Sequence, residues 1–352
     1  MTPTRFLSSA RWRRLRRGAY AATCLSVAGL VGCSDGPLPP EPLPPTPLPP
    51  DPPRPALRWV QETGLPVTGT LRDVWASSSA DVWVAGERGT VLRYDGSSWS
   101  AMMTGTIAPL SGITGTSASD VWAAGSDLLH YANGAWSKVD WIPPKGPFSW
   151  RINDIWAASP SEAWVVSEYF DGYPNSNSSI LYFDGSKWSE ATFDGYNRSL
   201  RAVWGSSRSS VWIVGTEEVF QNGPTWRGGI WHYNGTAWSS VPISTVAGLS
   251  GIWGSSSSDV WAVGGAGTIL HYNGSSWSQV ASGTSASLRD VWGTSASNVW
   301  IVGDGGTILH YNGSSWLRME SGTARNLQGI WGTSATNVWV VGDNGTILHG
   351  VP

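Results

Sequence analysis

The chain has 352 residues, of which 25 are Trp and 43 Gly, and only 13% are charged. A composition skewed this far points to repetition of one short unit rather than to a generic core. Six of the 22 basic residues precede residue 18, which leaves 16 basic against 25 acidic side chains, a net charge near −9 that excludes nucleic acid as a natural partner.

The N-terminus reads as an export signal. Arg5, Arg11, Arg13, Arg14, Arg16 and Arg17 precede an apolar run from Ala19 to Gly32, too short to be a comfortable membrane span. The run ends in "LVGC", Leu30 to Cys33, which resembles the bacterial lipoprotein lipobox. That resemblance implies cleavage before Cys33, acylation of its thiol as the lipidation site, and a membrane contact made through the lipid anchor alone. Ser34 after the cysteine implies sorting to the outer membrane of a Gram-negative cell envelope. An ordinary secretory signal and an uncleaved anchor are the alternatives. Cys24 and Cys33 are the sole cysteines, so the chain beyond Cys33 has no disulfide, thiol nucleophile or Cys-ligated metal.

Residues 1–33 are thus a signal with its lipobox cysteine, and residues 34–56 a linker. From Pro37 to Pro55 the linker holds 12 prolines in 19 residues. Such a run adopts extended polyproline II at about 3.1 Å per residue, a spacer of roughly 60 Å.

From Leu71 one pattern returns seven times: "LRDVW", a Ser-rich turn, "DVWVAG", a glycine turn, "TVLRY", an Asp-Gly or Asn-Gly turn, then "SSWS". Each piece is a short β-branched and aromatic run bounded by turn residues, the mark of a strand. Four strands in about 40 residues predict one propeller blade, so residues 57–352 are expected to form an all-β, seven-bladed β-propeller of four-stranded antiparallel blades. Trp75, Trp156, Trp204, Trp253, Trp292 and Trp331 mark the first strand, with Thr114 in the second repeat. Trp83, Trp122, Trp164, Trp212, Trp261, Trp300 and Trp339 mark the second strand, and Trp59, Trp99, Trp136, Trp188, Trp238, Trp277 and Trp316 the fourth. Trp59 has no blade before it and the last repeat stops at "TILHGVP", so the N-terminal strand is expected to complete the last blade and seal the ring.

This frame absorbs several apparent motifs. "GDGG" at Gly303 precedes a strand rather than a helix, so it is a hairpin turn and not a phosphate cradle. "NGSS" is a tight turn in which Asn and Gly are expected to supply positive φ. His130, His232, His271, His310 and His349 occupy one third-strand position in five blades, which predicts a repeated packing role and no metal site. No cofactor motif is present.

Taken together, "VWGTSASNVWIVGDGGTILHYNGSSW" resembles the Asp-box (BNR) class of propeller repeats, found in sialidases and in photosystem II assembly factors. "YDGSSW" at Tyr94 and "FDGSKW" at Phe183 match the motif loosely, with Asn at 234, 273 and 312 in place of Asp and one residue fewer before the Trp. The resemblance implies turn stabilisers remote from any active site.

Loop lengths locate function. First-to-second and third-to-fourth connections are constant, whereas the opposite face carries insertions over blades two to four: "SKVDWIPPKGPFSWR", "SEYFDGYPNSNSS" and "TEEVFQNGPTWRGG". Their aromatics, Trp141, Phe148, Trp150, Tyr169, Phe170, Tyr173, Phe220 and Trp226, are the candidate ligand-binding residues, since variable loops of repeat proteins commonly form the binding face. The expected function is a non-catalytic binding or assembly module for an envelope protein or glycan. The alternatives are a structural surface protein and a sialidase-like glycoside hydrolase. The hydrolase would need a deep central pocket of converging arginines and carboxylates; Arg72, Arg201 and Arg289, with Asp73, Asp154 and Asp290, recur near the innermost strands but follow the repeat frame.

Overall fold

The computed structural model describes residues 57–140, 149–170, 177–193, 197–220, 224–245 and 247–352. They form seven four-stranded antiparallel sheets in a ring, each with its strands in chain order from the axis outward. The seventh is the exception that closes the circle: Arg58–Gln61 pairs antiparallel with Thr346–Val351, Trp59 opposite Gly350, as the outer strand of the last blade.

Stacking of sheets on both sides explains why second strands such as Asp81–Gly86 and Asn337–Gly342 are buried along their whole length and do not alternate with polar residues. The tryptophans of these strands carry the packing between blades. Trp83 meets Tyr131 and Trp136 of the next blade at 4.8 and 5.8 Å, and Trp261 meets Tyr311 and Trp316 at 5.1 and 5.4 Å, with the indole pairs edge to face. The first-strand tryptophans likewise reach the next blade. A Cβ on Gly205, Gly254, Gly293 or Gly332 would lie 2.6–2.8 Å from the ring of Trp156, Trp204, Trp253 or Trp292, so the recurrent Trp-Gly dipeptide supplies both the ring and the space for its predecessor.

The histidines pack as expected. His271 and His349 stack on Trp261 and Trp339 at 3.9 and 3.8 Å, while His271 Nε2 lies 2.6 Å from Asp259 Oδ1 and His349 Nε2 2.8 Å from Asn337 Oδ1. The "NGSS" turns work differently from expectation. Gly313 has φ 94°, but Asn312 does not share the left-handed region; its Oδ1 instead accepts the backbone N–H of Ser314 and Ser315 and the Ser314 hydroxyl. Asp95 does the same in blade one. The Ser97 hydroxyl, then the Ser98 and Ser97 amides, hold its carboxyl down at about 2.

The insertions, read as loops, are partly strand. The second strands of blades three and four, Glu162–Phe170 and Ser210–Phe220, run 9 and 11 residues where Asp81–Gly86 has 6. The ladder simply continues past the disc, because a hairpin satisfies its own backbone polar groups as it grows.

Candidate functional site

Every innermost strand carries a register break near its start, and the break falls on the same residue of each repeat. The extra residues are Arg72, Ser111, Asn153, Arg201, Ser250, Arg289 and Gln328. A bulge interrupts the strict alternation of side chains and re-aims one of them. Here it aims one polar side chain per blade at the axis, and all seven line a single cavity of about 460 Å³ together with Arg151. Four guanidiniums therefore converge on the mouth of the central channel, at the face that bears the insertions.

Acids at the ends of the second strands set the orientation of these groups. Arg289 donates from Nε and Nη2 to the two Asp304 oxygens at 2.8 and 3.0 Å, and Arg72 Nη2 donates to Glu87 Oε1 at 3.2 Å. Arg201 Nη1 lies 3.7 Å from Glu168 Oε2, a carboxylate that is almost wholly buried and sits opposite Arg151 in the blade-three ladder. Arg72 Nε is buried with no hydrogen-bond partner among the described residues. Arg151 keeps much of its surface exposed, yet partial desolvation among its neighbours, then repulsion from Arg72 and Arg201, lowers its pKa. A ring of cations that repel one another and retain free N–H donors is suited to a carboxylate or similar anion.

One residue further along, Asp73, Asp154 and Asp290 form a second, half-buried layer. Each carboxylate accepts the next residue's N–H at 2.8 Å with one oxygen and an N–H of a neighbouring blade with the other: Ile113 for Asp73, Val203 for Asp154 and Ile330 for Asp290, at 2.7–2.9 Å. Blades one and two, three and four, and six and seven are thus stapled at the axis. Burial pushes Asp154 up to about 7 and Asp290 up to about 6. Asp73 is raised well above the carboxylate range by burial, then by the charges of Asp154 and Asp290. Glycines alternate with these acids: a Cβ on Gly112, Gly251 or Gly329 would lie 2.9–3.3 Å from the Cα of Asp154, Asp290 or Asp73.

Of the eight predicted aromatic residues, five lie among the described ones. Trp150 and Tyr169 face each other across the innermost pair of blade three, ring centroids 4.4 Å apart, so these two rings pack on one another. Trp226 is 42% exposed on the extended blade-four hairpin, opposite Glu218. Phe170 and Phe220 end the long second strands, while Trp141, Phe148, Tyr173 and the lipobox Cys33 lie outside the described residues. Trp231, off the repeat frame, is core: it is 1% exposed, and Gly229 leaves room for its ring. Arg151 and Glu168 were missed from sequence, and the signal for them was an Arg two residues ahead of the bulge position and an acid where a second strand normally ends.

Solved structures of other proteins share this architecture. YCF48 bound to D1 peptide superposes with a TM-score of 0.62 at 18% identity, covering 84% of this chain and 95% of that one. YCF48 from Cyanidioschyzon merolae gives 0.62 at 19%, over 84% and 98%, and the WD40 β-propeller domain of Doa1 gives 0.60 at 12%, over 83% and 95%. The chain shares the propeller fold of these proteins. No family model matches the sequence, and no curated protein matches it.

Proposed function

We propose that this chain is a non-catalytic binding or assembly module of the bacterial cell envelope, which holds a protein partner against its insertion face and seats an acidic group of that partner in the arginine mouth. The observation that carries the reading is the convergence of Arg72, Arg151, Arg201 and Arg289 on one cavity. Exposed Trp226 on the extended blade-four hairpin adds an apolar anchor on the same face. The likeness to a propeller whose structure contains a bound peptide supports a polypeptide ligand. The turn motifs fit kinship with Asp-box repeats.

Glycoside hydrolysis is the poorer reading although the arginines do converge as it requires. The nearby Asp73, Asp154 and Asp290 each engage both oxygens with backbone N–H groups, which leaves them as structural staples rather than as nucleophile or acid. The test is retention of envelope proteins by the immobilised full chain and by an Arg151→Glu/Arg201→Glu variant. Charge reversal is expected to reduce retention at least about tenfold. Equal retention by both chains, or elution of a glycan in place of a protein, overturns the reading.

Lipid attachment at Cys33 completes the proposal and has its own test. Cys33→Ser is expected to move the chain from the membrane fraction to the soluble fraction and to abolish incorporation of labelled palmitate. A variant that stays in the membrane overturns the anchor.

A further inference from the structure

The seven repeats allow each connection to be compared with copies of itself in the same molecule. The loop that leads from blade one into blade two shares its backbone device with those after blades five and six. A Ser or Thr hydroxyl, Thr104, Ser282 or Ser321, donates to the carbonyl two residues on, at 3.3, 3.1 and 3.1 Å. In all three a second-to-third-strand turn abuts the loop so closely that a Cβ on Gly89, Gly267 or Gly306 would fall 1.9–2.0 Å from Thr106, Thr284 or Thr323 O. The scaffold is the same three times, so its geometry does not dictate what the blade-one copy displays.

That copy departs from the others at three positions. Met103 stands where the equivalent loops have Ala281 and Glu320, and it is 91% exposed. Ile107 stands in place of Ser285 and Ala324 and is 87% exposed. Arg88 has φ 56° in the turn below, where the other copies place Ala266, Gly305 and Asn344. Left-handed φ disfavours a long side chain such as Arg, and neither Met103 nor Ile107 gains anything from burial. These three side chains line one groove of about 490 Å³ between the loop entering blade one at Val67 and the loop at Met102–Ile107. Among the described residues Arg88 is exposed and has no ion pair.

We infer that this groove is a docking site for an extended peptide segment that carries an aliphatic or aromatic side chain next to a carboxylate. The apolar side chain packs between Met103 and Ile107, and the carboxylate meets Arg88. Charge complementarity selects this occupant: a purely apolar segment would leave the guanidinium unused, and a basic one would be repelled by it. The site shares no residue with the arginine mouth and does not rest on the function proposed for it.

The experiment selects a displayed random dodecapeptide library on the full chain and measures enriched peptides by fluorescence anisotropy against three variants. Met103→Ala/Ile107→Ser and Arg88→Asn restore residues that the other copies of this scaffold already carry, so folding is preserved, and unchanged thermal melting checks this. Arg201→Glu disables the mouth. The expected result is enrichment of peptides with an apolar residue beside Asp or Glu. Their affinity should fall at least about tenfold in the double variant and several-fold in Arg88→Asn, and be unchanged in Arg201→Glu. Failure to enrich any sequence, enrichment without an acidic residue, or equal binding to the double variant overturns the inference. Displacement of the selected peptides by a synthetic peptide of residues 37–55 would also overturn it, because the occupant would then be the chain's own linker.

Discussion

Deleting residues 57–61 is expected to abolish cooperative unfolding of the ring at neutral pH. Arg58–Gln61 supplies the outer strand of the last blade, and its removal leaves the edge of Thr346–Val351 open. Leu57 and Trp59 are buried there, and Gly350 is the surface they cover: a Cβ on it would touch Leu57 Cδ1 and the Trp59 ring at 3.0–3.2 Å. Burial of one Trp and one Leu contributes about 5 kcal/mol by area, comparable with the whole stability of many domains. The milder Trp59→Ala keeps the strand and is expected to cost about 3–5 kcal/mol. Urea titration of the tryptophan fluorescence reads both. A deletion that keeps a single transition near the wild-type midpoint would show that closure is not what holds the ring.

Lowering the pH from 8 to 6.5 is expected to stabilise the protein, and Asp154→Asn to remove much of that gain. Asp154 and Asp290 keep their protons in the folded ring up to about 7 and 6, whereas the unfolded chain releases them near 3.8. Between those values the folded state binds more protons, so stability increases as pH falls, by up to about 1.4 kcal/mol per pH unit for each group. Burial holds His232 and His349 below their usual 6.5, which works in the opposite direction once the pH drops below that value. The acids' gain therefore sets in below about pH 7 and steepens below about pH 6, where the two histidines oppose part of it. The amide introduced by Asp154→Asn can accept only one of the two N–H bonds that the carboxylate takes from Ile155 and Val203, and the unpaired donor costs about 1–3 kcal/mol. The variant is thus expected to be the less stable protein at pH 5.5 and to approach or overtake the wild type at pH 8. Parallel melting curves at all pH values would refute the titration of the axial layer.

The parts legible in the sequence were those that repeat. Seven copies of one Trp frame imply seven blades, and the unmatched Trp59 shows where the ring closes. The axial arginines were visible too, but as repeat consensus: Arg72, Arg201 and Arg289 share a frame position, and nothing in "LRDVW" says that the strand bulges there. Arg151 belongs to no frame at all. The Asn residues of the "NGSS" turns point the same way, since a residue type suited to left-handed φ was used for its side-chain oxygen instead.

By itself the sequence determined the architecture of this protein, its blade count, its closure and the face on which its connections vary, because each follows from periodicity and chain length. Only the tertiary structure decided what the axis presents. A one-residue bulge turns a side chain toward the channel, and ring closure brings residues 72, 151, 201 and 289 into one cavity. Convergence of positions so far apart in the chain is a property of the closed ring, and no single repeat contains it.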